Sequence, residues 1–162
     1  MSERKLKYAI MLNYENSIAK WQYKALTELQ NSNIAIPVLL IINNDNEIRL
    51  GFFNKIKQYP YSIFLYRFWK RFFWKFKSID LAELPEFLKK TYSIKVKPIK
   101  KGKFSEYFAD ETIELIKNEE PDFIIRFVLN ILKGEILTVA KYGVWSYHHS
   151  DPFMFRGGPL LS

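Results

Sequence analysis

Cysteine is absent from all 162 residues. That rules out a disulfide framework, cysteine-ligated metal and thiol chemistry, and it accords with a reducing compartment. Histidine occurs only twice, as the adjacent pair His148 and His149. Two neighbouring imidazoles without a set of carboxylate partners do not make a zinc site, so no metal is expected. Long apolar runs are missing as well. Lys and Arg interrupt every apolar stretch before it reaches the roughly 20 residues that a membrane-spanning helix needs. The N-terminus MSERKLK is charged, and the apolar run after it, Tyr8 to Leu12, is too short for a secretory leader. A soluble, cytoplasmic protein is the expectation. Acidic residues are in deficit: 25 Lys and Arg against 17 Asp and Glu leave a formal net charge of +8. This surplus favours an anionic partner such as nucleic acid, a phosphorylated small molecule or an acidic membrane surface, and it serves solubility just as well.

What is present fits one domain, long enough to bury roughly two thirds of its unfolded surface around a single core. Lys7 to Leu12 reads as a buried first strand, with a loop from Asn13 to Ser17 at its carboxyl end. Asn16 or Ser17 is placed to cap a helix running to about Gln30, with Ile18, Trp21, Ala25, Leu26 and Leu29 at helical spacing on its core face. Ile34 to Ile42 reads as a second buried strand, with Pro37 at a bulge or where pairing begins. Strand, helix and strand in this order predict a right-handed βαβ unit. Later in the chain, Ser78 to Leu84 is a turn leading to a short helix that ends near Lys90, and Tyr92 to Ile99 alternates like an edge strand. Lys97, Lys100, Lys101 and Lys103 cluster around Gly102 as a phosphate-attracting or simply solvated loop. A helix is expected over Phe104 to Asn118, burying Ile113, Leu115 and Ile116, with a second start near Asp110. Glu119-Glu120-Pro121 stops it, and Asp122 to Val128 is a further buried strand.

Between Pro60 and Phe76 nine of seventeen residues are aromatic, interleaved with Arg67, Lys70, Arg71 and Lys75. Proline at the first turn and no interior glycine favour a helix. Three readings of it stay open: packing against the sheet with its basic residues in water, contact with an anionic membrane, or stacking on single-stranded nucleic acid.

The stretch Gly143 to Pro159, GVWSYHHSDPFMFRGGP, holds both histidines and three of the six glycines. Val144, Trp145 and Tyr147 are strand formers, Ser150-Asp151-Pro152 breaks the strand, and Arg156-Gly157-Gly158-Pro159 makes a tight loop. A strand therefore ends in a polar site, and strand ends are where open α/β sheets keep their chemistry. A purely structural role is also open, with one imidazole bonded to backbone and the other in water.

This segment resembles the signature of the folate-dependent, methionyl-tRNA formyltransferase-like family, in which a strand ends in Asn-x-His-x-Ser and is followed by a proline-containing loop and Arg-Gly. It is most similar to a subgroup with a His-His pair and a later Arg-Gly-Gly-Pro. The resemblance puts Ser146 in the place of the Asn, His148 in that of the catalytic His, and Ser150, Arg156 and Gly157 in the loop that shapes the site. It covers most of the chain and implies a three-layer, open, mostly parallel Rossmann-like sheet. It also implies that the loop Phe127, Val128, Leu129, Asn130, Ile131 and Leu132 borders the pocket for 10-formyltetrahydrofolate, the formyl donor. Gly is usual in the family where Val128 or Leu129 stands here, so the backbone approach to the ligand differs.

Formyl transfer to an amine passes through a tetrahedral intermediate whose oxygen becomes negative, so the site must supply hydrogen bonds at that oxygen and take a proton from the amine. By the resemblance His148 is donor or base, and Ser146 donates from a shorter arm than Asn. The family's catalytic Asp lies beyond Ser162, and Asp151 is not in its position. The expectation is an N-terminal formyltransferase-like domain over residues 1–162, cut short at its C-terminus and inactive if the missing Asp is essential. Its partners would be folate and a small amine, such as a free or nucleotide-linked amino sugar. A charged tRNA acceptor is disfavoured, because the family's C-terminal tRNA-binding domain is not in this sequence. The alternative is a non-catalytic binding or membrane-peripheral module using the basic aromatic segment 60–77.

Overall fold

The computed structural model describes residues 4–44, 80–102, 105–128 and 131–147. The basic aromatic segment predicted as a helix, 60–77, lies outside them. Among the described residues, five strands form one parallel sheet: β1 (Leu6–Leu12), β3 (Ala35–Asn43), β5 (Ser93–Val96), β8 (Phe123–Arg126) and β10 (Val144–Ser146). Their spatial order is β10-β8-β1-β3-β5, and every pairing is parallel. The chain starts at the centre, builds outward through β3 and β5, and returns to the other side of β1 for β8 and β10.

Near-continuous apolar runs give β1 and β3 two buried faces, as an interior parallel strand requires. On one face Tyr8, Ile10, Leu12, Leu40, Ile42 and Phe123 pack with Leu26 of helix α1 (Lys20–Asn31) and Leu88 of the short helix α2 (Glu86–Lys89). On the other, Ala9, Met11, Leu39, Ile41, Ile94 and Ile124 meet Ile113 and Ile116 of helix α3 (Asp110–Asn118). Helices on both sides of a mainly parallel sheet make a three-layer α/β architecture of the Rossmann-like kind.

Several expectations hold at residue level. The register of β1 against β3 shifts between Tyr8 and Ala9, whose partners are Pro37 and Leu39. Val38 is thus the extra residue, and the proline sits beside a bulge because it has no N–H to give the ladder. Strand β5 is at the sheet edge, with Ile94 and Val96 buried and Ser93 and Lys95 outward.

Other expectations need correction. Helix α1 begins at Lys20 and is capped at Ala19, because Ser17–Ala19 is a short strand, β2, antiparallel to β4 (Leu81–Glu83). Neither Asn16 nor Ser17 caps it. The Ala19 N–H donates to Gln22 Oε1 at 2.9 Å, the reciprocal half of a capping box, while the alanine side chain offers no acceptor to the first helical N–H groups. Ile18, expected on the helix, is buried from β2. Helix α3 is also shorter than predicted. Ser105–Tyr107 forms strand β7, antiparallel to β6 (Ile99–Lys101) and parallel to β9 (Ile131–Leu132), a small second sheet. Leu115 is 46% exposed, so only Ile113 and Ile116 of the three expected core residues face inward. In the β6–β7 hairpin Gly102 has φ +76 and takes the turn, and the Lys101 ammonium lies over the Tyr107 ring at 4.7 Å.

At the amino edge of the sheet, Asp122 joins strands far apart in sequence. Its carboxylate accepts the Lys7 N–H at 2.8 Å, its own N–H donates to the Lys7 carbonyl at 2.8 Å, and its carbonyl accepts the Tyr142 N–H at 2.7 Å. The starts of β8 and β1 and the approach to β10 are held together by this one residue.

Candidate functional site

The direction of strand building reverses at β1, so the crevice at the carboxyl ends of β1 and β8 is the topological switch point, the usual ligand position in open α/β sheets. Asn13 follows β1, and its Oδ1 accepts from Asn43 Nδ2 at the end of β3, 3.5 Å away. On the other side of β1 the ends of β8 and β10 lie side by side, and Ser146 is in register with Arg126, which is in register with Met11.

Alternation along the strands decides which face each of these residues occupies. Ile124 and its partner Val144 pack into the cluster that contains α3, and Phe123 and Trp145 stack on the opposite side with ring centroids 4.5 Å apart. Two residues on from Ile124 and Val144, Arg126 and Ser146 return to the α3 side of the sheet. Arg126 is half-buried there, and burial pulls its pKa below the ordinary arginine value while the carboxylate of Glu106 on β7 opposes the shift. Glu106 is itself buried. A lone basic residue in DFIIRFV is the signal that marks Arg126, and reading that segment as one buried strand passed over it.

An aromatic group forms on the α1 side of the same edge. Trp21, at the start of α1, meets the Phe127 ring edge-on at 5.3 Å and the Tyr147 ring at 5.1 Å with a 38° tilt. Trp21 is thus not simply core, as its helical spacing implied. It is half-buried at the edge that carries the site.

Of the residues assigned from sequence, Ser146 ends β10 and is exposed. Phe127 and Val128 follow β8 and turn to opposite faces, Phe127 toward the α1 cluster and Val128 toward the α3 cluster. The Phe127 N–H reaches the Met11 carbonyl at 3.4 Å, which closes the β8–β1 pairing. Ile131 and Leu132 form β9, with Ile131 exposed and Leu132 buried, and a 3₁₀ turn follows at Glu135–Leu137. His148, Leu129, Asn130, Ser150, Arg156 and Gly157 lie outside the described residues. The structure therefore brings Phe127 and Ser146 to one sheet edge and sets Ile131 and Leu132 in the adjoining small sheet.

A groove of about 510 Å³ runs beside that small sheet, lined by Tyr107, Phe108 and Ile136 with Lys101, Lys133 and Asp110 among its charged residues. Phe127, Val128, Ile131 and Leu132 are not among the described residues that line it. No group of three or more metal-ligating side chains occurs among the described residues. No helix among them is long and apolar enough to cross a membrane.

Fold and edge together define a Rossmann-like α/β domain whose polar groups gather at the carboxyl ends of β8 and β10. Over 53 residues the chain is 47% identical to methionyl-tRNA formyltransferase of Clostridium perfringens, in both strain SM101 / Type A and strain 13 / Type A. The match takes in 32% of this chain, less than the motif resemblance implied, and 17% of those proteins. The chain thus matches well under two thirds of their length. This partial similarity supports a relationship to formyltransferases. No family model and no solved structure matches the chain.

Proposed function

We propose that this chain is a formyltransferase-like protein that binds 10-formyltetrahydrofolate and moves its formyl group to an amine. The observation that carries the reading is the 47% identity over 53 residues to methionyl-tRNA formyltransferases. The parallel sheet, with Ser146 at the end of β10 and an aromatic wall of Trp21 and Phe127 on the other face of the same edge, is compatible with a flat heteroaromatic ligand at that edge.

In the reaction the amine nitrogen attacks the formyl carbon and the carbonyl oxygen takes the negative charge. A base removes the amine proton, the bond between the formyl carbon and N10 of the folate breaks, and N10 receives a proton. His148 is the base or donor in this proposal, and Ser146 gives one hydrogen bond to the oxygen. The loop from Phe127 to Leu132 borders the folate, and Ser150, Arg156 and Gly157 shape the approach to His148. A small amine such as an amino sugar, free or nucleotide-linked, is the acceptor. The subgroup with the His-His and Arg-Gly-Gly-Pro signature is part of the same proposal.

The test is thermal unfolding with 5-formyltetrahydrofolate, a stable analogue of the donor, for the natural chain and for His148→Ala. A ligand present at a hundred times its dissociation constant adds about 2.7 kcal/mol, several degrees for a domain of this size. A rise in Tm with the natural chain supports the reading, and its reduction in His148→Ala supports the site. No rise at millimolar ligand would refute it and leave a binding role for the basic aromatic segment 60–77, to be read by vesicle or oligonucleotide binding.

A further inference from the structure

We propose that Arg126 is the cationic hydrogen-bond donor for the oxygen that becomes negative during transfer, working beside Ser146 at the carboxyl end of β8. This rests on the formyltransferase reading above and adds a residue that the motif does not contain. The register places Arg126 next to Ser146 on neighbouring parallel strands, and the alternation of buried neighbours puts both on one face. Ser146 brings a single O–H on a short arm to the position that the signature gives to a longer amide. A guanidinium carries five N–H donors on a long side chain, more than one carboxylate can accept, and the Glu106 carboxylate acts on it electrostatically. Half-burial matters as well, since the attraction between a cation and a developing oxyanion grows as water is excluded. Its backbone is fixed by pairing with β1 through Met11, and the negative charge of Glu106 on β7 favours its charged form. A preorganised donor of this kind does not have to reorient as charge develops.

Formate is the probe, because it is the smallest oxyanion with the geometry of the transferred group. The Arg126 Nε–H resonance is assigned in a proton–nitrogen spectrum by its loss in Arg126→Lys, and formate is titrated into the natural chain. A saturable shift of that resonance, weakened in Ser146→Ala, is the expected result. A resonance that stays still up to 100-fold excess formate overturns the proposal, whatever the folate experiment shows. A formate shift without thermal protection by 5-formyltetrahydrofolate keeps the anion site and discards the folate reading, so the two failures are distinguishable. When formyl transfer is followed directly, Arg126→Met should lower kcat by about 100-fold with little change in the KM for the donor. Arg126→Lys should recover part of that loss. Equal kcat in all three proteins would also overturn the proposal, because a merely structural arginine predicts lower Tm without this separation of kcat from KM.

Discussion

Tyr8 lies in the central strand with its ring fully buried and stacked on Phe123, centroids 5.6 Å apart, and its hydroxyl has no hydrogen-bond partner among the described residues. An unpaired buried hydroxyl costs stability, and burial pushes its pKa up to about 12. Tyr8→Phe keeps the ring and removes the polar atom. It should raise stability by about 1 kcal/mol in urea unfolding at neutral pH. The alkaline limb carries a second signature. An unfolded tyrosine releases its proton near pH 10 and the folded one near 12, so above pH 10 the unfolded state holds fewer protons and stability falls. The contribution is complete below pH 10 and lost as the pH rises through 12. Subtracting the Tyr8→Phe curve from that of the natural chain should isolate this component, and a flat difference between pH 9 and 12 would contradict the burial. Pattern reading put Tyr8 in a buried run, but no local pattern says whether a phenol finds a partner.

Helix α3 tests how far periodicity reaches. Ile113 and Ile116 are three residues apart and share a face, whereas Leu115 is two positions on from Ile113, about 200° around the helix, and points to water. Ile116→Ala should cost about 2–5 kcal/mol by opening a cavity against β1 and β3, and Leu115→Ala should change stability by about 0.5 kcal/mol or less. Comparable losses in both would mean that the helix is rotated from the orientation described. The end of this helix, at Asn118 just ahead of Glu119-Glu120-Pro121, was readable from the proline. Its start was not readable. Nothing in KFSEYFADE says that Ser105–Tyr107 pairs with Ile99–Lys101 and Ile131–Leu132, because those partners are distant or follow a turn. Likewise, Ser17–Ala19 looked like the first turn of α1 until Leu81–Glu83, more than sixty residues away, claimed it as a strand.

At the scale of the whole molecule, Asp122 closes a long loop of chain. Its bonds to Lys7 span 115 positions, and its carbonyl holds Tyr142, which leads into β10. Replacing the carboxylate with alanine leaves the Lys7 N–H without its acceptor. Asp122→Ala should therefore cost about 1–3 kcal/mol and broaden amide resonances of Leu6 to Tyr8 and of Val144 to Ser146 together. A loss confined to β8 would show that the amino edge does not act as one unit. The candidate site sits at the opposite edge of the same strands. Loosening one end of β8 and β10 should therefore also weaken any ligand protection read at Ser146.

Apolar runs in Lys7 to Leu12, Ile34 to Ile42 and Asp122 to Val128 were enough to predict a βαβ unit and a further buried strand, and the family resemblance added the mostly parallel sheet. Side chains of that size have to leave water on both faces, and only an interior strand permits it. The motif in Gly143 to Pro159 likewise predicted a strand, and Val144–Ser146 is that strand, β10. Tertiary structure alone decided that β8 and β10 are neighbours, that Arg126 comes to lie beside Ser146, and that Trp21 joins Phe127 and Tyr147 at the same edge. These contacts link residues 20 to 126 positions apart. Their energy depends on strand order and register, which local propensity does not encode.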